Sequence, residues 1–341
     1  MLTKNDKIKW HDFIKTLNRY LEIEPYSKIT NFNFFGIKKI EWKNAVYCFL
    51  GHEKDSFMLY ICNGDEALFR VFRSFFNTKY PLIDSMYDMN CLYIGFVPTK
   101  KMSDYDYNFL KEIGATINKK SSKLLPHFRA FTPSSEPWPF DMNDVDFCKP
   151  VIDILIELTN SGIIQKADLS INKSEIIPVF MQTEQDCSKW RIARHPLMHE
   201  LSDLVFIEPH DDGCLKQIKK GCTKKGRLIA GVYYSPVPIA KNKSGRHIFP
   251  RVYFIGDLKT NEILFYGFFE NMSVDGYKIV DSLTSIFQER KEIPRTLLVR
   301  NEETFCLLEK TCEMFNIAIK FTNKTKLLDD CWKSLEIELL N

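Results

Sequence analysis

Three residues in the C-terminal third of the chain have side chains and positions that could bind divalent metal ions. Asp257 ends a strand-like run, Asn301 follows a buried run, and Glu336 lies 35 residues after Asn301 on the expected last helix. Oxygen ligands gathered in this way hold two divalent cations about 4 Å apart, which clamp the attacking and leaving oxygens of a phosphodiester. The neutral amide of Asn301 is a poorer ligand for Mg²⁺ or Mn²⁺ than a carboxylate. We therefore expect an incomplete acidic site, and Asp257 equally suits an ordinary hairpin turn.

Two histidines, His195 and His199, are four residues apart in the sequence. If they lie on a helix they share one face and could ligate zinc, with Pro196 in the first helical position. The order of residues matches no fixed zinc motif. The alternative is a solvated helix start followed by an acidic turn at residues 209–213, which needs no metal.

Two basic runs could contact phosphate groups or nucleic acid. If both meet at one edge of a sheet, they could hold phosphates. The first run has no interleaved aromatic residue of the kind that stacks on bases, and basic loops are commonly just solvated. The first run contains Lys216, Lys219, Lys220, Lys224, Lys225 and Arg227, and the second contains Lys241, Lys243, Arg246 and His247.

The segment 124–140 combines four prolines with aromatic residues. So many prolines predict the absence of regular structure, and the aromatic residues predict a segment pinned to a core. Phe128, Arg129 and Trp138 either line a ligand groove or form a structural belt that joins the two halves of the chain. Burial of Trp138 alone would contribute roughly 2–3 kcal/mol, which favours the structural role.

The elements that position these residues fall into two parts. Residues 1–162 begin with an amphipathic helix in which Trp10, Phe13 and Leu17 share a face, with Asn5 as the expected N-cap. Strand-like runs, a hairpin and further helices follow, so we predict an α+β domain. Residues 163–341 form the second domain.

The end of the second domain, residues 250–341, is the most regular stretch. A hairpin is followed by helices that alternate with short buried strands, in the order β-β-α-β-α-β-α, which predicts a sheet with helices packed on it. The overall class is therefore α/β, with a three-layer α/β module at the C-terminus.

Composition indicates a globular protein of two domains. The chain has 341 residues, 45% of them hydrophobic, and a net charge of +3, which is low for a dedicated nucleic-acid binder. The first ten residues, Met1–Trp10, are rich in charge, so we expect no secretory leader there. The sequence has no long apolar run, so we expect no membrane span. The ten cysteines contain no CxxC pair, so we expect reduced thiols in a cytoplasmic protein.

Two blocks resemble known families. The run VYCFLGHEKDSFMLYICNGDEALFRVF, with the pairs Phe128-Arg129 and Pro137-Trp138 further on, resembles an uncharacterised bacterial N-terminal domain. The runs VYYSPVPIAK and IFPRVYFIGDLKTNEIL resemble a second uncharacterised domain that commonly follows the first. The resemblance implies a two-domain organisation and no activity.

In element order alone, residues 250–341 also resemble a ribonuclease-H or transposase-integrase core. That resemblance implies a first carboxylate on the first strand, a second after a helix-and-strand pair, and a third on a later helix. Asp257, Asn301 and Glu336 are the candidates for these positions.

The sequence favours a non-catalytic binding or interaction module with no cofactor. It does not identify the partner, for which the candidates are a protein or a nucleic acid and not a membrane. The alternative is a phosphodiesterase or nuclease dependent on Mg²⁺ or Mn²⁺, with a degenerate site at Asp257 and Glu336. A third hypothesis is a module stabilised by zinc at His195 and His199. Nucleophile elbows and phosphate-binding glycine loops are absent from the sequence.

Overall fold

The chain folds into two compact units. The computed structural model describes residues 2–24, 33–53, 56–76, 86–115, 124–169, 175–183, 189–198, 201, 204–209, 213–238, 240–241, 245–269 and 271–340. Each unit combines helices with its own sheet, so the α/β class is confirmed. Unit 1 comprises Met1–Asn77, Asp88–Pro133 and Pro137–Glu200, and unit 2 comprises Thr78–Tyr87, Ser134–Glu136 and Leu201–Asn341.

Helix α1 spans Lys4–Glu22 and buries Trp10 with the other apolar residues of the predicted face. It begins with a capping box. The Thr3 hydroxyl accepts the amide hydrogen of Asp6 at 3.1 Å, and the Asp6 carboxylate accepts that of Thr3 at 2.8 Å. The N-cap is therefore Thr3 and not Asn5, because only Thr3 has an acidic residue three positions later.

Unit 1 is built on one seven-stranded sheet in the order β5-β4-β3-β2-β1-β6-β7, in which β1 and β6 are parallel and the other neighbours are antiparallel. Helices α1 and α4 contribute apolar residues to the core on one face. After α1 the elements are β1 (Asn33–Lys38), β2 (Val46–Glu53), β3 (Ser56–Asn63), α2 (Asp65–Phe76), β4 (Cys91–Pro98), α3 (Asp104–Glu112), β5 (Leu124–Phe131), α4 (Met142–Asn160), β6 (Ile176–Gln182) and β7 (Trp190–Pro196).

The prediction that residues 124–140 lack regular structure is wrong for the first half of the segment. Strand β5 pairs with β4 along its whole length, with Pro126 opposite Phe96. Because β5 is at the edge of the sheet, a proline without an amide hydrogen can be accommodated there. Beyond the strand, Trp138 exchanges two backbone hydrogen bonds with Ala130, at 2.6 and 3.0 Å.

Strands β6 and β7 follow the expected domain boundary at residue 162, yet they pair in the sheet of unit 1. Gly36 of β1 is in register with Val179 of β6. A boundary near residue 200 fits this pairing better than one at residue 162.

Unit 2 is built on a five-stranded sheet in the order β13-β12-β9-β15-β16. Strand β9 is antiparallel to β12 and parallel to β15. In chain order the elements are α5 (Gly213–Gly221), β8 (Thr223–Lys224), β9 (Arg227–Tyr234), β10 (Ala240–Lys241), β11 (His247–Ile248), β12 (Arg251–Asp257), β13 (Glu262–Phe269), α6 (Met272–Asp275), α7 (Tyr277–Arg290), β14 (Glu292–Ile293), β15 (Thr296–Val299), α8 (Glu302–Met314), β16 (Ala318–Phe321) and α9 (Lys326–Leu340).

Helices cover both faces of this sheet. Leu283 of α7 and Leu307 of α8 share a core with one face, and Leu328 of α9 shares a core with the other. The three layers predicted for the C-terminal module are therefore present.

The central strand β9 belongs to this sheet, so the module does not begin at residue 250 as predicted. Its order is β-β-β-α-β-α-β-α, with one more strand at the start. Residues 235–250 separate β9 from its neighbour β12. Because this connection is long, the sequence gives no local signal that the two strands pair.

Candidate functional site

A charged pocket lies at the end of the unit 2 sheet where β9 begins and β12 finishes. Its lining combines four basic with two acidic side chains, together with buried apolar residues. The charged residues of the lining are Lys225, Arg227, Asp257, Lys259, Arg290 and Glu292.

Three elements bring these residues together. Asp257, the last residue of β12, is in register with Leu228 near the start of β9. Gly226 precedes β9 with a φ of +81°, a left-handed conformation that favours glycine. Arg290 is the last residue of α7, and Lys259 lies in the turn between β12 and β13.

Asp257 is fully engaged in this pocket. One carboxylate oxygen accepts from Arg290 at 2.6 Å, and the other accepts from the amide of Lys259 at 2.7 Å. Burial raises the pKa of Asp257, but the Lys259 amide and the Arg290 guanidinium outweigh it, so the pKa lies below its usual value. Asp257 thus stays ionised as the partner of Arg290.

The remaining pocket charges are divided between one ion pair and two available cations. Lys225 contacts Glu292 at 2.7 Å, and this hydrogen bond is the main cause that lowers the pKa of Glu292. The side chains of Arg227 and Lys259 are exposed and have no hydrogen-bond or ion-pair partner among the described residues, and the charge of Lys259 also helps to lower the pKa of Glu292. The pocket is therefore suited to bind an anion.

Two family models match the chain. One, for a domain of unknown function (DUF7309), matches residues 10–179, and the other, for a domain of unknown function (DUF6930), matches residues 214–336. The chain carries two domains of unknown function. The predicted organisation into two uncharacterised domains is confirmed. No curated protein and no solved structure matches the chain.

The structure does not bring Asp257 and Asn301 of the DUF6930 domain together. Asn301 donates to the carbonyl of Val232 at 2.9 Å, whereas Asp257 is level with Leu228. Four strand residues separate these levels, which is about 13 Å along the sheet. Among the described residues, no group of three or more His, Cys, Asp or Glu could hold a metal ion.

Glu336 is also distant from Asp257. It follows Trp332 by one helical turn in α9, and the Trp332 indole donates to the carbonyl of Tyr234 at 2.8 Å. Tyr234 is at the opposite end of β9 from Leu228, about 20 Å away along the strand. A single two-metal centre therefore cannot include both residues.

Asn301 has a structural role in the DUF6930 domain. Its side-chain oxygen accepts the amide hydrogen of Thr304 at 3.1 Å, which makes it the N-cap of α8. The first strand of the sheet, β9, has the sequence RLIAGVYY and carries no carboxylate. The ribonuclease-H resemblance implies a first carboxylate on the first strand, whereas Asp257 is on the second strand of this sheet.

His195 lies in strand β7, opposite Ile177, and not at the start of a helix. Strand neighbours alternate between faces, so the helical spacing with His199 has no meaning here. His199 lies outside the described residues.

The two basic runs lie at opposite ends of β9 and do not meet at one edge. Arg227 begins the strand, whereas Lys241 follows its other end. Lys219 donates to the carbonyl of Met314 at 2.7 Å, and Lys224 to the carbonyl of Asn316, so both lysines satisfy the C-terminal end of α8.

Other residues of the basic runs have separate environments. Arg246 is buried and donates to the carbonyl of Glu136 at 2.5 Å, and His247 contacts the Glu136 carboxylate at 3.0 Å. Lys220 is exposed at the end of α5. Lys243 lies outside the described residues.

In the DUF7309 domain, Phe128 packs in the core against Trp10, with 5.1 Å between ring centroids. Arg129 donates two hydrogen bonds to Asp106, at 2.7 and 2.8 Å. Together with the backbone pairing of Trp138 and Ala130, these contacts indicate a structural role for the segment. The ring of Phe128 is buried and therefore does not line a groove.

Three charged pocket residues, Lys259, Arg290 and Glu292, were missed from the sequence. Neither basic run contains them, because Arg290 is the last residue of a helix, Lys259 lies in a hairpin turn and Glu292 begins the short strand β14. The one usable signal is Asp257, an acidic residue at a strand end, and the sequence does not identify the cation that pairs with it.

Proposed function

We propose that this chain is a non-catalytic binding protein whose DUF6930 domain binds a phosphate-bearing anion in the pocket at the start of β9. One observation carries the proposal. The pocket holds Arg227 and Lys259 with no described partner, while its carboxylates are already paired with Arg290 and Lys225. An anion entering this site meets two exposed cations that need not break a hydrogen bond, of which Lys259 also acts electrostatically on Glu292.

The paired state of Asp257 argues against the rival function, a metal-dependent phosphodiesterase. A carboxylate that accepts from Arg290 and from a backbone amide has few lone pairs left for a cation. The distance of Asp257 from Asn301 and Glu336 also argues against a shared metal site. We therefore propose that no Mg²⁺ or Mn²⁺ is required.

We also propose a ribonuclease-H-like fold for the five-stranded sheet of unit 2. Its support is the order of elements, with three antiparallel strands followed by two parallel strands and intervening helices. The proposal concerns the fold alone, since β9 lacks the acidic residue that such enzymes place there.

We propose a bacterial origin and a cytoplasmic location. The eight cysteines whose side chains are described are all free thiols, which is the usual state in a reducing compartment. No helix within the described residues is long and apolar enough to cross a membrane.

A thermal-shift comparison tests the binding function. Inorganic phosphate and a mononucleotide should raise the unfolding temperature of the full chain, because a ligand of the native state at 100 times its Kd contributes about 2.7 kcal/mol. The double variant Arg227→Ala/Lys259→Ala should lose the shift. The matched control Lys15→Ala/Lys333→Ala removes two exposed cations outside the pocket and should keep it.

The outcome that contradicts the proposal is an unchanged unfolding temperature with every phosphate-bearing ligand, or an equal shift in both double variants. A separate assay with a phosphodiester substrate and Mg²⁺ or Mn²⁺ should show no hydrolysis above the buffer rate. Hydrolysis that Asp257→Asn abolishes would restore the phosphodiesterase.

A further inference from the structure

A row of cations crosses the end of the unit 2 sheet at the pocket. Lys259 lies in the turn that follows β12, Arg227 begins β9, and Arg295 directly precedes β15. These strands are neighbours in the sheet, and Thr296 is in register with Arg227. Adjacent strands are about 4.8 Å apart, so the backbones of the three residues lie at successive positions along this end of the sheet. Strand alternation starts the side chains of Arg227 and Arg295 from opposite faces, so a ligand that contacts both passes over the end of the sheet.

Most of this row is available for a ligand. Arg227 and Lys259 have no described partner, and Arg295 uses one nitrogen, Nε, in a long contact of 3.4 Å with the carbonyl of Lys224. Lys291, which precedes β14, and Lys220 at the end of α5 are exposed and add two further cations at the same end of the domain.

The cations continue along the end of the sheet beyond the pocket lining, so they match a chain of phosphates better than a single phosphate. Leu228, Ile286 and Pro294 are the apolar residues of the pocket lining, and all three are buried. Among the described residues of the pocket lining, none is an exposed apolar side chain that could enter a lipid layer or a ring that could stack on bases.

We propose that this row, Lys259, Arg227 and Arg295 with Lys291 and Lys220, binds the phosphodiester backbone of a nucleic-acid strand without regard to its base sequence. The inference rests on the proposed function, because one phosphate of the strand occupies the anion pocket. It also gives the pocket a ligand class that the near-neutral net charge of +3 does not suggest.

Fluorescence anisotropy of the full chain with labelled oligothymidylates of two, four, eight and twelve residues tests the inference. Affinity should rise with length until the row is filled. With about four phosphate contacts on a single strand, the slope of log K against log salt is about −3, so affinity should fall about 50-fold between 50 and 200 mM salt.

Variants connect the binding to the row. The triple variant Arg227→Ala/Lys259→Ala/Arg295→Ala should reduce the affinity for the eight-residue strand at least tenfold and flatten the salt slope. Its control, Lys7→Ala/Lys15→Ala/Lys333→Ala, makes the same change of charge at three exposed positions outside the row and should bind like the original chain. Unfolding temperatures of both variants establish that they are folded.

The outcomes separate this inference from the proposed function. Binding of the mononucleotide with no gain in affinity for longer strands overturns the nucleic-acid inference and leaves the anion pocket. Absence of binding to phosphate, mononucleotide and oligonucleotides overturns both. Binding to vesicles containing phosphatidylserine but not to oligonucleotides, or equal losses in the two triple variants, also overturns the inference.

Discussion

Strand β9 has cationic side chains near both of its ends, and the two ends use them differently. Near Tyr234, Arg251 contacts Glu303 at 2.5 Å, and its guanidinium carbon is 3.4 Å from the centre of the Tyr234 ring. Arg300 lies 3.7 Å above the Tyr233 ring and donates to a backbone carbonyl at 3.0 Å. Arg251 is buried and Arg300 is half-buried, so both cations pack against the folded domain at this end.

At the other end, near Leu228, cations are only partly used. Arg290 and Lys225 pair with carboxylates, and Arg227 and Lys259 extend into solvent without a described partner. The same residue types thus support the fold at one end and remain available at the other.

The difference shows which observation separates a structural cation from a candidate binding residue. Residue type and sequence clustering do not separate them, since Lys219 and Lys224 belong to the basic run yet satisfy helix carbonyls. Burial and partners do separate them. A buried cation that loses its carboxylate carries the whole cost of desolvation, whereas an exposed cation is already hydrated.

The largest expected effect comes from breaking the buried pair. Arg251→Met removes the guanidinium that contacts the Glu303 carboxylate at 2.5 Å. The two side chains are only 7% and 10% exposed, so the carboxylate stays buried after its ion pair is lost. We expect the free energy of unfolding of unit 2 to fall by about 3–5 kcal/mol. Urea unfolding at pH 7 measures this change.

The double variant Arg251→Met/Glu303→Leu is the control, because it replaces both charges by apolar groups. It should recover most of the loss, since removal of a complete buried pair is often neutral. A cost below about 1 kcal/mol for Arg251→Met alone would show that this end of β9 is not the structural end.

Several features of both units could be predicted from sequence. The periodicity of Trp10, Phe13 and Leu17 gave helix α1, and the alternation of helices with short buried runs gave the C-terminal order of elements. These signals are local, because each depends on residues within a few turns of one another.

The features that were wrong or missed depend on contacts between distant residues. Strand β9 pairs with the distant strand β15, and Arg227 is in register with Thr296. No local sequence pattern predicts this pairing. His195 shows the same limit, because a spacing of four residues has meaning only if the segment is helical. The pocket likewise combines Arg227, Asp257 and Arg290 from three separate elements.

A smaller effect is expected from the ion pair at the pocket end. Asp257→Asn keeps the shape of the side chain but removes its charge beside Arg290, which is one-third exposed. The pair is partly screened, so we expect a loss of about 1 kcal/mol at pH 7. Differential scanning calorimetry against pH measures it.

The pH dependence of this loss has a definite sign. The pKa of Asp257 is lowered in the folded chain, so its contribution is present above the unfolded value of about 3.9 and is lost as the pH falls through the lower folded value. The original chain and Asp257→Asn should therefore converge in stability below about pH 4. A constant difference down to pH 2 would contradict the assigned pairing.

The smallest effect on stability is expected for Arg227→Ala, and it sharpens the comparison most. Arg227 is exposed and has no described partner, so its loss should change the free energy of unfolding by less than about 0.5 kcal/mol while it weakens phosphate binding. The matched change at the other end, Arg300→Ala, removes the contact with the Tyr233 ring and should instead lower stability by about 1 kcal/mol and leave phosphate binding intact. Calorimetry measures the stability of both variants, and a phosphate titration measures their affinity for phosphate. If Arg227→Ala proves the more destabilising of the two, then Arg227 supports the fold, and the two ends of β9 do not differ as the structure indicates.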